Sequence, residues 1–234
     1  MIREVMDQKL KNSLENIKLE LLEMAAHVER NISDAVLALI EKDKELAEAV
    51  PQRDPVVDLM EISLDRHCHG ALTLRPIGSD LRFLATALKI VKDLERVGDL
   101  AGDICKHATK VFDDFPSREL VETSTMARIA VRMLGRALDA FVNRDVSLAR
   151  EVMDDDDEVD RLHDLVFESL CTAMRHESDK IASATHLLYI ANFLERVGDH
   201  SANIAEMVIF MVDGADVRHF EKVKPLIQAR GDSD

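Results

Sequence analysis

The chain has 234 residues, 45 of them acidic and 30 basic, for a formal net charge of −15. A balance this acidic excludes a binder of nucleic-acid backbone, which needs clustered Lys and Arg, and excludes simple adhesion to an anionic membrane. With 47% hydrophobic residues, 4% aromatic residues, eight Gly and five Pro, the composition excludes disordered and collagen-like classes and favours helix over strand.

In chain order, the first predicted element is a long amphipathic helix. Leu14, Ile17, Leu21, Met24, Val28, Ile32, Ala35 and Leu39 step by threes and fours and form one apolar stripe. Pro51 and Pro55 then punctuate the pattern, and a second helix is predicted to start there. Arg75-Pro76-Ile77-Gly78-Ser79-Asp80 breaks that helix, with Ser or Asp available to cap a third that runs to Phe115-Pro116. The same order then recurs. A stripe through Ala130, Leu134, Ala137 and Phe141 is followed by the acidic run Asp154 to Asp157, which stands where the prolines stood and marks the start of the next helix. A break at His176-Glu177-Ser178-Asp179 precedes a last helix that ends at Asp213-Gly214.

The recurrence is a duplication. Glu95-Arg96-Val97-Gly98-Asp99 reappears letter for letter as Glu195-Arg196-Val197-Gly198-Asp199, and upstream of it Met24 to Asp58 can be laid on Met126 to Asp160. The repeats are placed at 1–116 and 117–234, each of a size that supports a small core if the two support each other. Short connections require neighbouring helices to pack antiparallel, so the predicted fold is all-α, two tandem three-helix bundles. Gly98 and Gly198 fall inside the third helices, where Gly costs roughly 1 kcal/mol relative to Ala, and close approach of another helix is the expected offset.

In an antiparallel hairpin, residues equidistant from the turn lie opposite one another. Asp54 with Asp99, and Asp58 with Glu95, are equidistant from the turn at Pro76-Ile77; Asp156 with Asp199, and Asp160 with Glu195, are equidistant from Glu177-Ser178. Each copy thus gathers four carboxylates whose mutual repulsion asks for a neutralising partner. Hard cations such as Mg²⁺, Mn²⁺ or iron take oxygen ligands, and facing helices of a bundle are where such sites are built. Carboxylate-bridged di-iron enzymes add Glu-x-x-His pairs, and none occurs here. The plainer readings are helix capping by Asp54 and Asp156, ion pairing with Arg96 and Arg196, and a solvated acidic face. His67-Cys68-His69 is read as structural, since successive helix residues diverge and the second copy has no equivalent; Met126, Met133 and Met174 are read as core.

Cys68, Cys105 and Cys171 are odd in number and lack C-x-x-C spacing, which suits buried thiols in a reducing compartment. Apolar runs such as Met207 to Val212 are too short to span a bilayer, and no basic start precedes a long apolar run, so a cytoplasmic protein is expected. P-loop, G-x-G-x-x-G, G-x-S-x-G and H-E-x-x-H motifs are absent, so no enzyme activity is expected.

With its duplicated E-R-V-G-D helix, the D-x-x-x-D segments at Asp54 to Asp58 and Asp156 to Asp160, the "PIGSDLR" turn from Pro76 to Arg82 and "FMVDGADVRH" from Phe210 to His219, the chain resembles the PhoU family over about residues 10 to 220. The resemblance implies two three-helix bundles related by pseudo-twofold symmetry, and a homodimer. It also implies metal held at Asp54, Asp58, Glu95, Asp99, Asp156, Asp160, Glu195 and Asp199, as a divalent or ferric ion of Mg, Mn, Fe or Zn. The implied function is non-enzymatic negative regulation of phosphate uptake and phosphate-starvation signalling. The implied partners are the ATPase of the phosphate ABC transporter and a sensor histidine kinase, with the membrane reached only through them and no nucleic acid bound. The alternative is a carboxylate-bridged metal store or metal-dependent enzyme. Two departures from the family pattern stand out: Leu74-Arg75, where a Gln before the proline is common, and Asn203 where the first copy has Asp103, which predicts unequal sites.

Overall fold

A computed structural model describes residues 2–112, 117–215 and 217. Among them there are helices and turns but no strand. Helix α1 (Ile2–Glu41) is followed by the short α2 (Lys44–Ala49), a 3-10 turn at Val50–Arg53, α3 (Asp54–Leu72) and α4 (Ser79–Ala108). The second repeat is α5 (Ser117–Asn143), α6 (Val146–His176), a 3-10 turn at Ser178–Lys180 and α7 (Ile181–Asp213). Helices α1, α3 and α4 pack as one bundle and α5, α6 and α7 as the other, with α4 on α7 and α1 on α5 joining them. The two stripes read from the sequence form much of the core: Ile17, Leu21, Met24, Val28, Ile32, Ala35 and Leu39 are buried, as are Ala130, Leu134, Ala137 and Phe141, while Leu14 packs against them partly buried.

The first helix of each repeat ends alike. Lys42 (φ 56°) and Arg144 (φ 54°) are left-handed, and the following Asp43 and Asp145 donate their N–H groups back to the Ala38 and Ala140 carbonyls at 3.0 and 2.9 Å. Those aspartates then start the next helix, since their carboxylates accept from Leu46 N and Leu148 N at 3.0 Å. The acidic run Asp154 to Asp157 is therefore no break; it lies well inside α6, which begins at Val146. Prolines make the difference. Pro51 and Pro55 forbid a continuous helix in the first repeat, whereas the matching positions Met153 and Asp157 allow one. Asp156 cannot act as a cap from there, and Asp54, the first residue of α3, follows Arg53 at the cap position with no side-chain cap hydrogen bond.

The turns between second and third helices fall where expected, but without the expected side-chain caps: Gly78 (φ 58°) precedes α4, Lys180 precedes α7, and neither start has a side-chain cap. Gly78 takes a conformation that L-residues with a Cβ avoid, which is its reason to be glycine. Helix α4 ends at Ala108, and Phe115-Pro116 lie outside the described residues. Helix α7 ends as predicted, with Gly214 left-handed (φ 74°) and donating to the Phe210 carbonyl at 2.9 Å.

Helices α4 and α7 run antiparallel in constant register. Arg82 Nε donates to the Met211 carbonyl (3.3 Å), His200 Nδ1 meets Asp93 Oδ1 (2.9 Å), and His107 meets His186 (3.1 Å), so every step along α4 is matched by an equal step back along α7. With repeats offset by 100 residues here, the seam maps onto itself at Arg96-Val97 against Arg196-Val197. The pseudo-twofold axis thus passes through the two E-R-V-G-D segments, whose Val97 and Val197 are fully buried.

Candidate functional site

Each quartet of acids is divided between the two helices of a hairpin, Asp54 and Asp58 on α3 with Glu95 and Asp99 on α4, and Asp156 and Asp160 on α6 with Glu195 and Asp199 on α7. Charge acts across the hairpins between Asp54 and Asp99, Asp156 and Asp199, and Asp160 and Glu195. The hairpins close tightly because of their glycines. A Cβ on Gly98 would sit 3.3 Å from Val57 Cγ1, and one on Gly198 would sit 3.1 Å from Asp156 Oδ1 and 3.4 Å from Val159 Cγ1. The third-helix glycines therefore serve the close approach that their place inside a helix implied.

In the first hairpin, burial raises the Asp54 carboxyl above its usual range, and Asp99 and Asp58 add to the rise. Burial likewise raises Glu95, with Asp99 the next cause. Cations partly answer this charge. Arg96 Nη1 donates to Asp99 Oδ2 (3.1 Å) and its Nε lies 3.3 Å from Glu95 Oε2, although that buried oxygen accepts no hydrogen bond. Lys106 donates to Asp103 (2.9 Å), and Lys92 pairs with Glu61.

The second hairpin is more acidic at the corresponding places. Asn192 and Glu206 replace Lys92 and Lys106, Asp157 replaces Pro55, Asp164 replaces Ile62, and Arg196 makes no ion pair among the described residues. Burial first, then Asp199, Asp160, Asp157 and Glu195, pushes the Asp156 carboxyl up to about 7. Its Oδ1 is buried without a hydrogen-bond partner. Asp160 and Glu195 are also raised, chiefly by burial, and His163 opposes both shifts. His163 stands where the first repeat has Glu61; its Nε2 lies 2.7 Å from Asn192 Oδ1 and 3.6 Å from Glu195 Oε2.

The hairpin arithmetic placed the eight carboxylates on the facing helices but missed His163, Lys92, Lys106 and Glu61. The signal for His163 lies in Asp160-x-x-His163, whose i, i+3 spacing shares a face and which differs from the Glu-x-x-His pattern only in its first residue. His67 and His69 diverge as read, His67 to Glu20 (2.7 Å) and His69 to the Asp65 carbonyl (2.8 Å), while Cys68 is in the core. The Cys68 and Cys105 thiols are pushed up to about 12 by burial. Met126 and Met133 are fully buried, and Met174 packs against the core from a partly buried position.

Among the described residues no three His, Cys, Asp or Glu side chains converge closely enough to hold a metal ion as they stand. The donor chemistry nonetheless suits a hard cation. The facing groups are carboxylates, the Asp156 oxygen is buried and unpaired, and Gly198 leaves beside it a space that a methyl group would fill. A second repeated feature has lost its likeness. The groove between α1 and α3, about 410 Å³, is lined by Lys9, Glu20, Arg66 and His67, whereas its counterpart between α5 and α6, about 450 Å³, is lined by Glu122, Glu168, His176 and Glu177; Glu20 and Glu122 are equivalent, but Arg66 has become Glu168. No helix among the described residues is long and apolar enough to cross a membrane.

Comparison with known proteins agrees with this architecture. The PhoU domain family matches residues 21–108 and again 123–208. The chain is 37% identical over 207 residues to the phosphate-specific transport system accessory protein PhoU of Serratia marcescens, covering 88% of this chain and 85% of that one. Among solved structures, PhoU from Pseudomonas aeruginosa superposes with a TM-score of 0.85 at 35% identity, covering 88% of this chain and 99% of that one. The phosphate transport system regulatory protein PhoU from Streptococcus pneumoniae gives 0.83 at 28% identity, covering 89% and 99%. Two matched domains, a whole-chain likeness and the paired carboxylate hairpins lead to one conclusion: the chain belongs to the PhoU family.

Proposed function

We propose that this protein is a cytoplasmic, non-enzymatic regulator of phosphate uptake that joins the ATPase of a phosphate ABC transporter to a sensor histidine kinase and holds phosphate-starvation genes off while phosphate is plentiful. The observation that supports it most directly is the likeness to proteins named phosphate-specific transport system accessory protein, which spans 88% of the chain and both repeats. The chain acts by contact, as a homodimer, through helix faces of two repeats taken as 1–116 and 117–234. With a net charge of −15, its contacts with exposed basic surfaces weaken as salt rises, and contacts through apolar faces do not.

In this reading a divalent or ferric ion is held by Asp54, Asp58, Glu95 and Asp99 in one hairpin and by Asp156, Asp160, Glu195 and Asp199 in the other. Such an ion supplies positive charge between facing carboxylates and so ties the second helix of a repeat to the third. The first hairpin already has Lys92, Lys106 and Arg96 against its acids, so the second has the greater need. Metal storage on the same carboxylates is the second reading, favoured by the unpaired Asp156 oxygen.

Deleting the gene and measuring phosphate-starvation transcripts in phosphate-rich medium tests the regulatory reading. Transcripts should rise, and affinity capture of the protein should recover the transporter ATPase or the kinase. Unchanged transcripts with neither partner recovered would overturn it.

A further inference from the structure

At one end of the α4–α7 seam, His107 and His186 set their Nδ1 atoms 3.1 Å apart. Their rings meet edge to face with centroids 5.0 Å apart, and Tyr189 and Phe193 wall His107 at 4.8 and 5.5 Å. The pseudo-twofold axis relates this pair to Thr86 and Met207 at the other end of the seam, both buried. Packing of the repeated seam therefore does not call for histidine, since its other end is filled without one. In contact through the same ring nitrogen, one imidazole donates and the other accepts. Burial, followed by His186, lowers His107 below the usual histidine range, while Asp103 opposes the shift. The neutral imidazole that results is the form that ligates metals.

We propose that His107 and His186 form a binding site for one borderline divalent cation of the zinc class, held through both Nδ1 atoms and bridging the two bundles. Nitrogen ligands lie about 2.0–2.1 Å from such a metal, so atoms 3.1 Å apart subtend roughly 100° at it, between the octahedral and tetrahedral angles. Among the described residues no third His, Cys, Asp or Glu joins the pair, and the rings are only part-buried, so solvent completes the coordination shell. Asp103, one turn before His107 on α4, and Lys106 act on His107 in opposite directions and are bonded to each other at 2.9 Å, so their charges largely offset at the site. The site differs in kind from the carboxylate hairpins. Imidazole favours zinc, copper and nickel strongly over magnesium and manganese, whereas oxygen ligands discriminate among these ions far less.

The test uses the full chain stripped with EDTA and dialysed into excess Mg²⁺, which competes for the oxygen sites and leaves imidazole free. Calorimetric titration with Zn²⁺ should show, beside any hairpin binding common to wild type and variants, one event weakened at least about tenfold in His107→Asn and in His186→Asn. Cu²⁺ added to the wild type should give an electron paramagnetic resonance spectrum split by two nitrogens, and by one in each variant. Should either variant fold poorly, the wild-type copper spectrum decides alone. Zn²⁺ affinity equal to wild type in both folded variants, or an oxygen-only copper spectrum, would overturn the assignment.

Discussion

Asp156→Asn should stabilise the metal-free protein at neutral and alkaline pH. The native carboxyl holds its proton from the usual 3.8 up to about 7, because burial and then Asp199, Asp160, Asp157 and Glu195 penalise its ionised form. Between those values the native state binds more protons than the unfolded chain, so the residue makes stability fall as pH rises and exerts its full penalty above about 7. At about 1.4 kcal/mol per tenfold change in proton affinity the ceiling is roughly 4 kcal/mol; the side chain is part exposed, and solvent screening leaves about 1–2 kcal/mol. For a chain of this size that is a rise in Tm of about 2–8 °C. Thermal melts followed by circular dichroism in EDTA should show this gain at pH 8, a shrinking gain through pH 6, and matching curves near pH 4. Saturating Mn²⁺ should reverse the order at pH 8, since an ion bound only by the native wild type stabilises it by mass action. A variant less stable than wild type at pH 8 in EDTA, or a difference that ignores pH, would refute the electrostatic account. Absence of any Mn²⁺ effect would refute the cation.

The glycines offer a contrast within one fold: Gly102→Ala, with nothing within 4 Å of the new methyl, should gain about 0.5–1 kcal/mol, whereas Gly198→Val, against Asp156 Oδ1 and Val159, should lose about 2–3 kcal/mol, both measured by urea denaturation. Asp145→Ala should cost about 1 kcal/mol through loss of the bond to Leu148 N, and an unchanged urea midpoint would show that the cap is dispensable.

The hairpins were legible because a short turn constrains its two flanks: once Pro76-Ile77 and Glu177-Ser178 are taken as turns, the partners of Asp54 and Asp156 follow from chain length alone. The start of α6 was misread because charge was given the meaning that belongs to proline. Four aspartates are poor helix formers that a packed helix tolerates, and the true signal was Asp145 three residues before Leu148. The α4–α7 seam left no local trace, since nothing ties the register of two separate hairpins except the complementary surfaces they present once folded. The pairs Asp93–His200 and His107–His186 cross it at separations of 107 and 79 residues. Glu61–Lys92 and His163–Asn192 show a subtler limit, because the two copies keep the place of the interaction while changing both partners.

A seam that maps onto itself at Val97 and Val197 has the geometry of a twofold dimer interface drawn inside one polypeptide. Were the two halves separate molecules from one gene, any substitution in the seam would appear twice, once at each end, and a histidine facing a histidine at one end would force the same at the other. Covalent fusion removes that constraint. Each end can then mutate without its image, which is how histidines can occupy one end while Thr86 and Met207 stay buried at the other, and how Arg66 in one outer groove can stand where the other has Glu168. The duplicated frame thus lets a single chain present two chemically different faces across an axis that, in the backbone, makes them equal.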